Sequence, residues 1–186
     1  MGLAGKISIG ELSRRMVTAV VLAATYAGLV LVLPGVSYGP FQVRIADVLS
    51  PLPYVMGLES VVGLTLGTLV ANVFSPYGVW DMAVGTLCTF TYTLVDWAIG
   101  RLVGYRRLGL VLVAVINSVV VGLYIGALLI GVIAGGGDPL MLFLLLTAES
   151  LVPMSIGSFV LVPAIRRYIA RGASWGNRLL ISAEHK

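Results

Sequence analysis

The stretch GPFQVRIADVLSPLPYV, residues 39–55, decides how often this chain crosses a membrane. It is apolar enough to enter a bilayer, yet it carries Arg44 and Asp47 three residues apart, followed by Pro51 and Pro53. Proline inside a helix removes a backbone hydrogen bond and kinks or ends the helix. The stretch is therefore either a loop or a short, broken membrane crossing, and its two charged residues are candidates for a site.

The composition of the whole chain indicates an integral membrane protein. Of the 186 residues, 59% are hydrophobic and only 11% are charged, and the mean hydropathy is +1.03. Several apolar runs exceed the ~17 residues that span the ~30 Å hydrocarbon core of a bilayer. At this length we expect one helical bundle with no separate soluble domain.

Two residue counts argue against the common catalytic and metal sites. The chain has one cysteine, Cys88, and one histidine, His185, next to the C-terminus. A lone cysteine cannot form an intrachain disulfide or a cysteine-based metal site. Because the single histidine lies next to the C-terminus, the chain also lacks the histidine that Ser–His–Asp catalysis or a histidine-ligated metal site would need. We therefore expect no enzyme activity, no metal and no cofactor.

The basic residues argue that the opening stretch crosses the membrane. Cytoplasmic flanks of membrane helices carry an excess of Lys and Arg. With six crossings, eleven of the 12 basic residues lie in the cytoplasm and Arg44 is the exception. With five crossings, the basic cluster 101–107 would fall outside the cell, and the basic residues would no longer be concentrated on one side. The expected spans are 16–33, 40–57, 58–75, 80–100, 108–133 and 140–165.

This pattern predicts the fold class. We expect an all-α integral membrane protein, a bundle of six transmembrane helices with both termini in the cytoplasm. Residues 1–186 would form one transmembrane domain that ends in a basic cytoplasmic tail at 166–186. The second span would be short and broken by its prolines, and interrupted helices of this kind often mark the binding region of transporters.

Six polar side chains in or beside the spans are candidates for a binding site. Ionisable groups at membrane depth cost about 2.5–3.5 kcal/mol or more, so each is a functional hypothesis. Structural alternatives are an Asn–Glu hydrogen bond between helices, an Arg–Asp pair on one helix face and capping of a helix N-terminus by an aspartate. The six residues are Arg44, Asp47, Asn72, Asp81, Asn117 and Glu149.

Depth separates two of these candidates from the rest. Asn117 and Glu149 lie nine and ten residues inside their spans. At ~1.5 Å per residue each reaches roughly 14–15 Å, near the midplane, where the two can face each other. By contrast, Asp96 lies near the cytoplasmic end of its span, close to Arg101, and we expect it to form an ion pair rather than a site.

Small residues on the first span give a second signal. Ala19, Ala23 and Ala27 recur every four residues along one face, as Gly63 and Gly67 do on the third span. This spacing lets another helix approach closely. For the first span it favours either packing inside the bundle or the docking of an external partner.

Several segments of the chain occur together, and in this order, in a known family. They are VRIADVL at 43–49, TLVANVFSPYGVWDMAVGTLCT at 68–89, AVINSVVVG at 114–122 and AES at 148–150. Together they resemble the queuosine-precursor transporter (QueT) family, and the likeness runs from about residue 16 to 166. Ala46 and Asp47 depart from the Ser and Glu of the family pattern, while Asn72, Asp81, Asn117 and Glu149 match it directly.

The resemblance implies a function and partners. Such proteins are six-span substrate-capture subunits, called S components, of energy-coupling factor (ECF) transporters in prokaryotic cell membranes. They bind a queuosine precursor, a 7-deazaguanine base, from outside and pass it to a transmembrane coupling protein and two ATPases. S components dock through small residues on the first helix, the role implied for Ala19, Ala23 and Ala27. The chain has no P-loop motif, so ATP hydrolysis would lie on the partners.

The candidate residues suit such a substrate. A guanine-like base carries adjacent N–H donors, which a carboxylate accepts in pairs, and we assign this role to Glu149. Asn117 offers a donor and an acceptor together. Asp47 or Asp81 could neutralise a cationic aminomethyl group, and Arg44 could contact the base carbonyl or hold those carboxylates. The alternatives are an S component for another vitamin or heterocycle, and a stand-alone facilitator or channel.

Overall fold

The computed structural model describes residues 8–37 and 44–171, and all regular structure in these ranges is helical. The start of the expected second span and most of the basic tail lie outside the described residues. A single helical turn, Pro34–Ser37, follows the first helix. The helical segments are α1 (Ile9–Val32), α2 (Ile45–Met56), α3 (Leu58–Asn72), α4 (Val79–Leu102), α5 (Arg107–Ile133) and α6 (Pro139–Arg171).

Four of these helices are long and apolar enough to cross a membrane. They are α1, α4, α5 and α6, whereas α2 and α3 are shorter apolar helices. Large apolar side chains such as Val20, Leu123 and Val160 are exposed on the outer surface. In a membrane these apolar side chains face lipid. The backbone is compatible with that surrounding because helices satisfy their own backbone hydrogen bonds. The chain is a multi-pass membrane bundle; the sixfold crossing and the cytoplasmic termini stay predictions.

Helix α2 is interrupted where its prolines lie. A 3₁₀ helix covers Ile45–Leu49, and a short α-helical turn covers Pro53–Met56. Between them, the chain continues with i→i+3 hydrogen bonds from Ser50 and Leu52. The segment ends at Gly57, whose φ of 110° is readily adopted only by glycine. The break keeps α2 short and turns the chain directly into α3.

Helix α2 also closes the bundle. Helix α1 packs on α3, α3 on α4, α4 on α5, and α5 on α6. The first half of α2 contacts the two ends of this row, α1 and α6, and its second half contacts α3 and α4. Ala46, Ser50 and Leu52 of α2 are buried in consequence. The polar residues of α2 therefore lie inside the bundle and not against lipid.

Small residues allow the close helix contacts. A Cβ added to Gly63 of α3 would lie 2.6 Å from the backbone oxygen of Ala19, and one added to Gly67 would lie 2.8 Å from that of Ala23. The alanine spacing on α1 therefore serves packing inside the bundle. On α6, Gly157 gives similar room for the ring of Pro51, so the break in α2 fits against a glycine.

Candidate functional site

A small cavity lies where five of the six helices meet. Its volume is about 20 Å³, which is room for about one water molecule. Helix α3 is the one that contributes no lining side chain. The cavity is lined by Tyr26 from α1, Arg44 and Asp47 at the start of α2, Gly85, Cys88, Thr89 and Tyr92 from α4, Val121 and Ile125 from α5, and Leu146 from α6.

A buried ion pair stands at one end of this cavity. The Nη2 atom of Arg44 lies 3.3 Å from Oδ2 of Asp81, and the two side chains are only 8% and 0% exposed. The hydroxyl of Ser75 donates to the same Asp81 oxygen at 2.5 Å. The pair joins residues 37 positions apart in the chain and fixes the start of α2 to the start of α4.

The sequence around α4 explains how Asp81 is held. Asp81 lies in the first turn of α4, where the helix dipole favours a negative charge. The side-chain amide of Asn72 donates to the backbone oxygen of Asp81 at 2.9 Å. A Cβ on Gly85 would collide with the Asn72 amide and would lie 2.7 Å from Asp81 Oδ1. Glycine at position 85 is therefore what leaves room for this arrangement.

Asp47 provides a second carboxylate in the same region. The hydroxyl of Tyr26 donates to its Oδ1 atom at 2.7 Å, and both residues are buried. This bond ties α2 to α1. With one guanidinium on Arg44 and carboxylates on Asp47 and Asp81, the ionised cluster carries a net negative charge.

Hydroxyl groups also lie at the cavity, where Thr89 and Tyr92 line it. The Tyr92 hydroxyl lies 3.0 Å from the Ser50 hydroxyl and donates to Thr89 Oγ1 at 3.2 Å. Thr68 of α3 reaches the same Thr89 oxygen at 3.1 Å. These contacts connect α2, α3 and α4 beside the cavity, and they show how α3 supports a site that it does not line.

The structure brings four of the six predicted residues together. Arg44, Asp47, Asn72 and Asp81 form one cluster at one end of the cavity, and of these four Arg44 and Asp47 line it. Asn117 and Glu149 do not line the cavity. The described hydrogen bond of Asn117 goes to Asp96 and not to Glu149. On α6, Glu149 follows the lining residue Leu146 by three positions, and its carboxylate oxygens are buried.

The expected ion pair between Asp96 and Arg101 is wrong. Asp96 is fully buried and accepts a hydrogen bond from the Asn117 amide at 2.8 Å. Arg101 is exposed, and its guanidinium lies 5.5 Å from the ring centre of Trp97. Five residues turn an α-helix by well over one turn, so Asp96 and Arg101 project from different faces of α4. Proximity in sequence was misleading here.

Several lining residues were not predicted, although a signal for them exists. On α4, Asp81, Gly85, Cys88, Tyr92 and Asp96 recur every three or four residues, and this spacing places them on one helix face. A polar and small face on an otherwise apolar helix indicates an interior surface. For Tyr26, which also lines the cavity, and for Ser50, which contacts Tyr92, no comparable pattern exists in the sequence.

These features define a class of protein. Charged side chains buried around an internal cavity of a membrane bundle mark pathways or binding sites for polar solutes. Residues 16–167 match the family described as QueT transporter, and the chain belongs to the QueT transporter family. It is accordingly a membrane transport protein and not an enzyme. No curated protein and no solved structure gives a significant match.

The buried ion pair leads to a stability prediction. Asp81→Asn keeps the shape of the side chain but removes the carboxylate that forms the buried ion pair with Arg44. Breaking a buried pair in this way costs about 3–5 kcal/mol, so we expect a clearly lower thermal unfolding temperature in detergent. Arg44→Met combined with Asp47→Asn and Asp81→Asn removes all three charges of the cluster and should recover part of that loss.

Asp138→Asn is the matched control for this prediction. Asp138 caps α6 through a hydrogen bond to the backbone of Met141 in an exposed position, and asparagine caps helices about equally well. The unfolding temperature of the Asp138→Asn variant should equal that of the parent protein. A charge-free triple variant no more stable than Asp81→Asn alone would contradict the proposed importance of the ion pair.

Proposed function

We propose that the chain is the substrate-binding S component of an ECF transporter. It captures a queuosine precursor, a 7-deazaguanine base, outside the cell, and a transmembrane coupling protein and two ATPase subunits drive its uptake. The observation that carries the proposal is the charged cavity inside a QueT-family bundle. A polar base needs hydrogen-bonding groups shielded from lipid, and the helices around α2 supply them.

The basic residues support an orientation for this protein in a prokaryotic cell membrane. Arginines flank the start of α1, the turn from α4 to α5 and the end of α6. The turn from α4 to α5 and the end of α6 are adjacent, because the guanidinium of Arg166 lies over the ring of Tyr105, 3.8 Å from its centre. An excess of basic residues favours the cytoplasmic side. Six crossings with both termini inside then put the Arg44 end of the cavity toward the outside.

Within the cluster, Asp47 is the better candidate for meeting a cationic substituent. It lines the cavity, whereas Asp81 lies behind Arg44 and Ser75. The hydroxyl of Tyr26 is a neutral donor to Asp47, so it does not cancel the charge of the carboxylate. In the proposed complex Asp47 therefore receives the ammonium group of an aminomethyl-bearing precursor.

The other polar residues hold this arrangement or read the base. Asn72 and Asp81 position Arg44 through the contacts described above, and Arg44 is left to face the carbonyl side of the base. The buried carboxylate of Glu149, one turn from Leu146, accepts a ring N–H donor once the cavity widens. Pockets for small molecules typically measure about 300–1,000 Å³, so the present volume of about 20 Å³ must increase on binding.

Calorimetry on the purified chain tests the substrate and the role of Asp47. We expect 7-aminomethyl-7-deazaguanine to bind far more tightly than guanine, thiamine or folate. Asp47→Asn should lower its affinity by about tenfold or more, because a hydrogen bond to a charged group contributes about 1.5–3 kcal/mol. The neutral 7-cyano analogue should bind the parent and the variant equally.

Other outcomes of the same measurement contradict the proposal. Binding of thiamine or folate in preference to any deazaguanine would make the chain an S component for another heterocycle. In liposomes, the purified chain alone should not accumulate the ligand without the coupling protein and ATPases. Transport by the isolated chain would identify a stand-alone facilitator instead.

The face of α1 that points away from the interior of the bundle is the proposed docking surface for the coupling protein. The backbone of Ala19 and Ala23 faces α3, but the side chains of Ala19, Ala23 and Ala27 also line an open apolar groove of about 270 Å³ between the two helices. Val20 and Val70 are more than half and about half exposed at its edges. Small residues at such a surface admit a partner helix at close range.

Bulky substitutions in this groove separate docking from binding. Ala19→Trp and Ala23→Trp should each reduce co-purification with the coupling protein, because the ring fills the groove, while calorimetric affinity for the base is retained. Val17→Trp is the matched control, since Val17 is exposed on α1 but does not line the groove. Assembly that survives both alanine substitutions would exclude the docking role.

A further inference from the structure

Asp96 and Asn117 form a second polar layer inside the bundle, apart from the Arg44 cluster. The Asn117 amide donates to Asp96 Oδ2 at 2.8 Å, and both side chains are 0% exposed. Asp96 follows the lining residue Tyr92 by four positions on α4, and Asn117 precedes Val121 by four on α5. Four residues advance a helix by about 6 Å. The pair therefore lies about one helical turn beneath the cavity.

This layer has hydrogen-bonding capacity that the described residues do not use. Oδ1 of Asp96 and Oδ1 of Asn117 are buried and find no partner in the described part of the chain. An unsatisfied buried polar group is destabilising, and more so when it is charged. Since the two side chains are hydrogen-bonded to each other, their free oxygens lie in one neighbourhood. Both oxygens are acceptors, so a partner for them must bring donors.

A metal ion is a poorer explanation than a donor-bearing ligand. No group of three or more His, Cys, Asp or Glu side chains suited to a metal occurs among residues 8–37 and 44–171. A carboxylate and one amide oxygen are few ligands for a divalent cation, which takes six or more oxygens when it is Ca²⁺. Two adjacent N–H groups need only two acceptors, and the layer offers that number.

Two features favour a widening of the cavity toward this layer, namely its small volume and the irregular hydrogen bonding of α5. Its volume of about 20 Å³ is too small for a bicyclic base, and Tyr92 and Val121 are the lining residues nearest to Asp96 and Asn117 along their helices. Directly after Val121, α5 changes to π-helical hydrogen bonding over Gly122–Ile133. π-helical turns are rare and frequently accompany functional sites. Widening between α4 and α5 would give room and satisfy both free oxygens at once.

We propose, building on the function assigned above, that Asp96 and Asn117 bind the edge of the base that carries N1–H and the 2-amino group. These donors are adjacent, and the C7 substituent lies at the diagonally opposite end of the ring system. With the amino edge at Asp96 and the C7 amine at Asp47, one carboxylate meets each end of the base. A charge-assisted bond to Asp96 makes this edge the basis of specificity, and Glu149 is left for the remaining ring N–H.

Removing the 2-amino group from the ligand tests this assignment. Calorimetry compares 7-aminomethyl-7-deazaguanine with the same compound lacking that amino group. The parent protein should prefer the first by about 100-fold or more, because a site built for a donor rejects a ligand without it. Asp96→Asn should reduce the preference to less than about tenfold. Asp47→Asn should weaken both ligands alike and leave their ratio unchanged.

A second variant protects the test against loss of folding. Asn117→Ala removes the amide oxygen and should reduce the same ratio, and thermal unfolding shows which variants are folded. An unchanged ratio in the folded variants, or equal binding of the two ligands by the parent protein, would overturn the assignment and leave the layer to buried water. Failure of the parent protein to bind either compound would instead overturn the proposed function, and the assignment with it.

Discussion

A charged side chain inside a membrane bundle is tolerated only where opposite charge or hydrogen bonds compensate for the loss of water. That constraint fixes the place of α2. Arg44 must reach Asp81 on α4, and Asp47 reaches Tyr26 on α1. Both contacts require α2 to lie between other helices with its polar residues inward. The position of the cavity follows from this placement, because α2 brings its charged residues to the point where five helices meet.

The interruption of α2 serves the same end. A continuous α-helix across the membrane would present residues around its whole circumference, including toward lipid. The prolines and the 3₁₀ turn shorten α2 instead, and glycines on neighbouring helices accept its irregular backbone. Gly157 lies against Pro51, and Gly100 lies against the backbone of Tyr54. Separately, Gly85 leaves room for the groups that hold Asp81. The small residues of this chain therefore support the buried charges as well as the helix contacts.

The sequence predicted what kind of segment each of these is better than it predicted which residues they contact. The prolines predicted a broken segment, and the exceptional position of Arg44 among the basic residues marked it for a site. Its contact with Asp81 could not be read from the chain, because it joins distant residues through the tertiary arrangement. The error at Asp96 has a similar origin: its neighbour in sequence projects from another face of α4, and its real partner is Asn117 on α5.

Two polar layers, one around Arg44 and one around Asp96, thus enclose a cavity whose lining includes the only cysteine of the chain, Cys88. Modification of that thiol reports directly on whether a ligand occupies this place. Labelling with a small thiol reagent, followed by intact mass, should be slowed strongly by saturating 7-aminomethyl-7-deazaguanine, with Cys88→Ser as the unlabelled control. A labelling rate that saturating ligand leaves unchanged, in protein shown by calorimetry to bind it, would contradict the cavity as the substrate site.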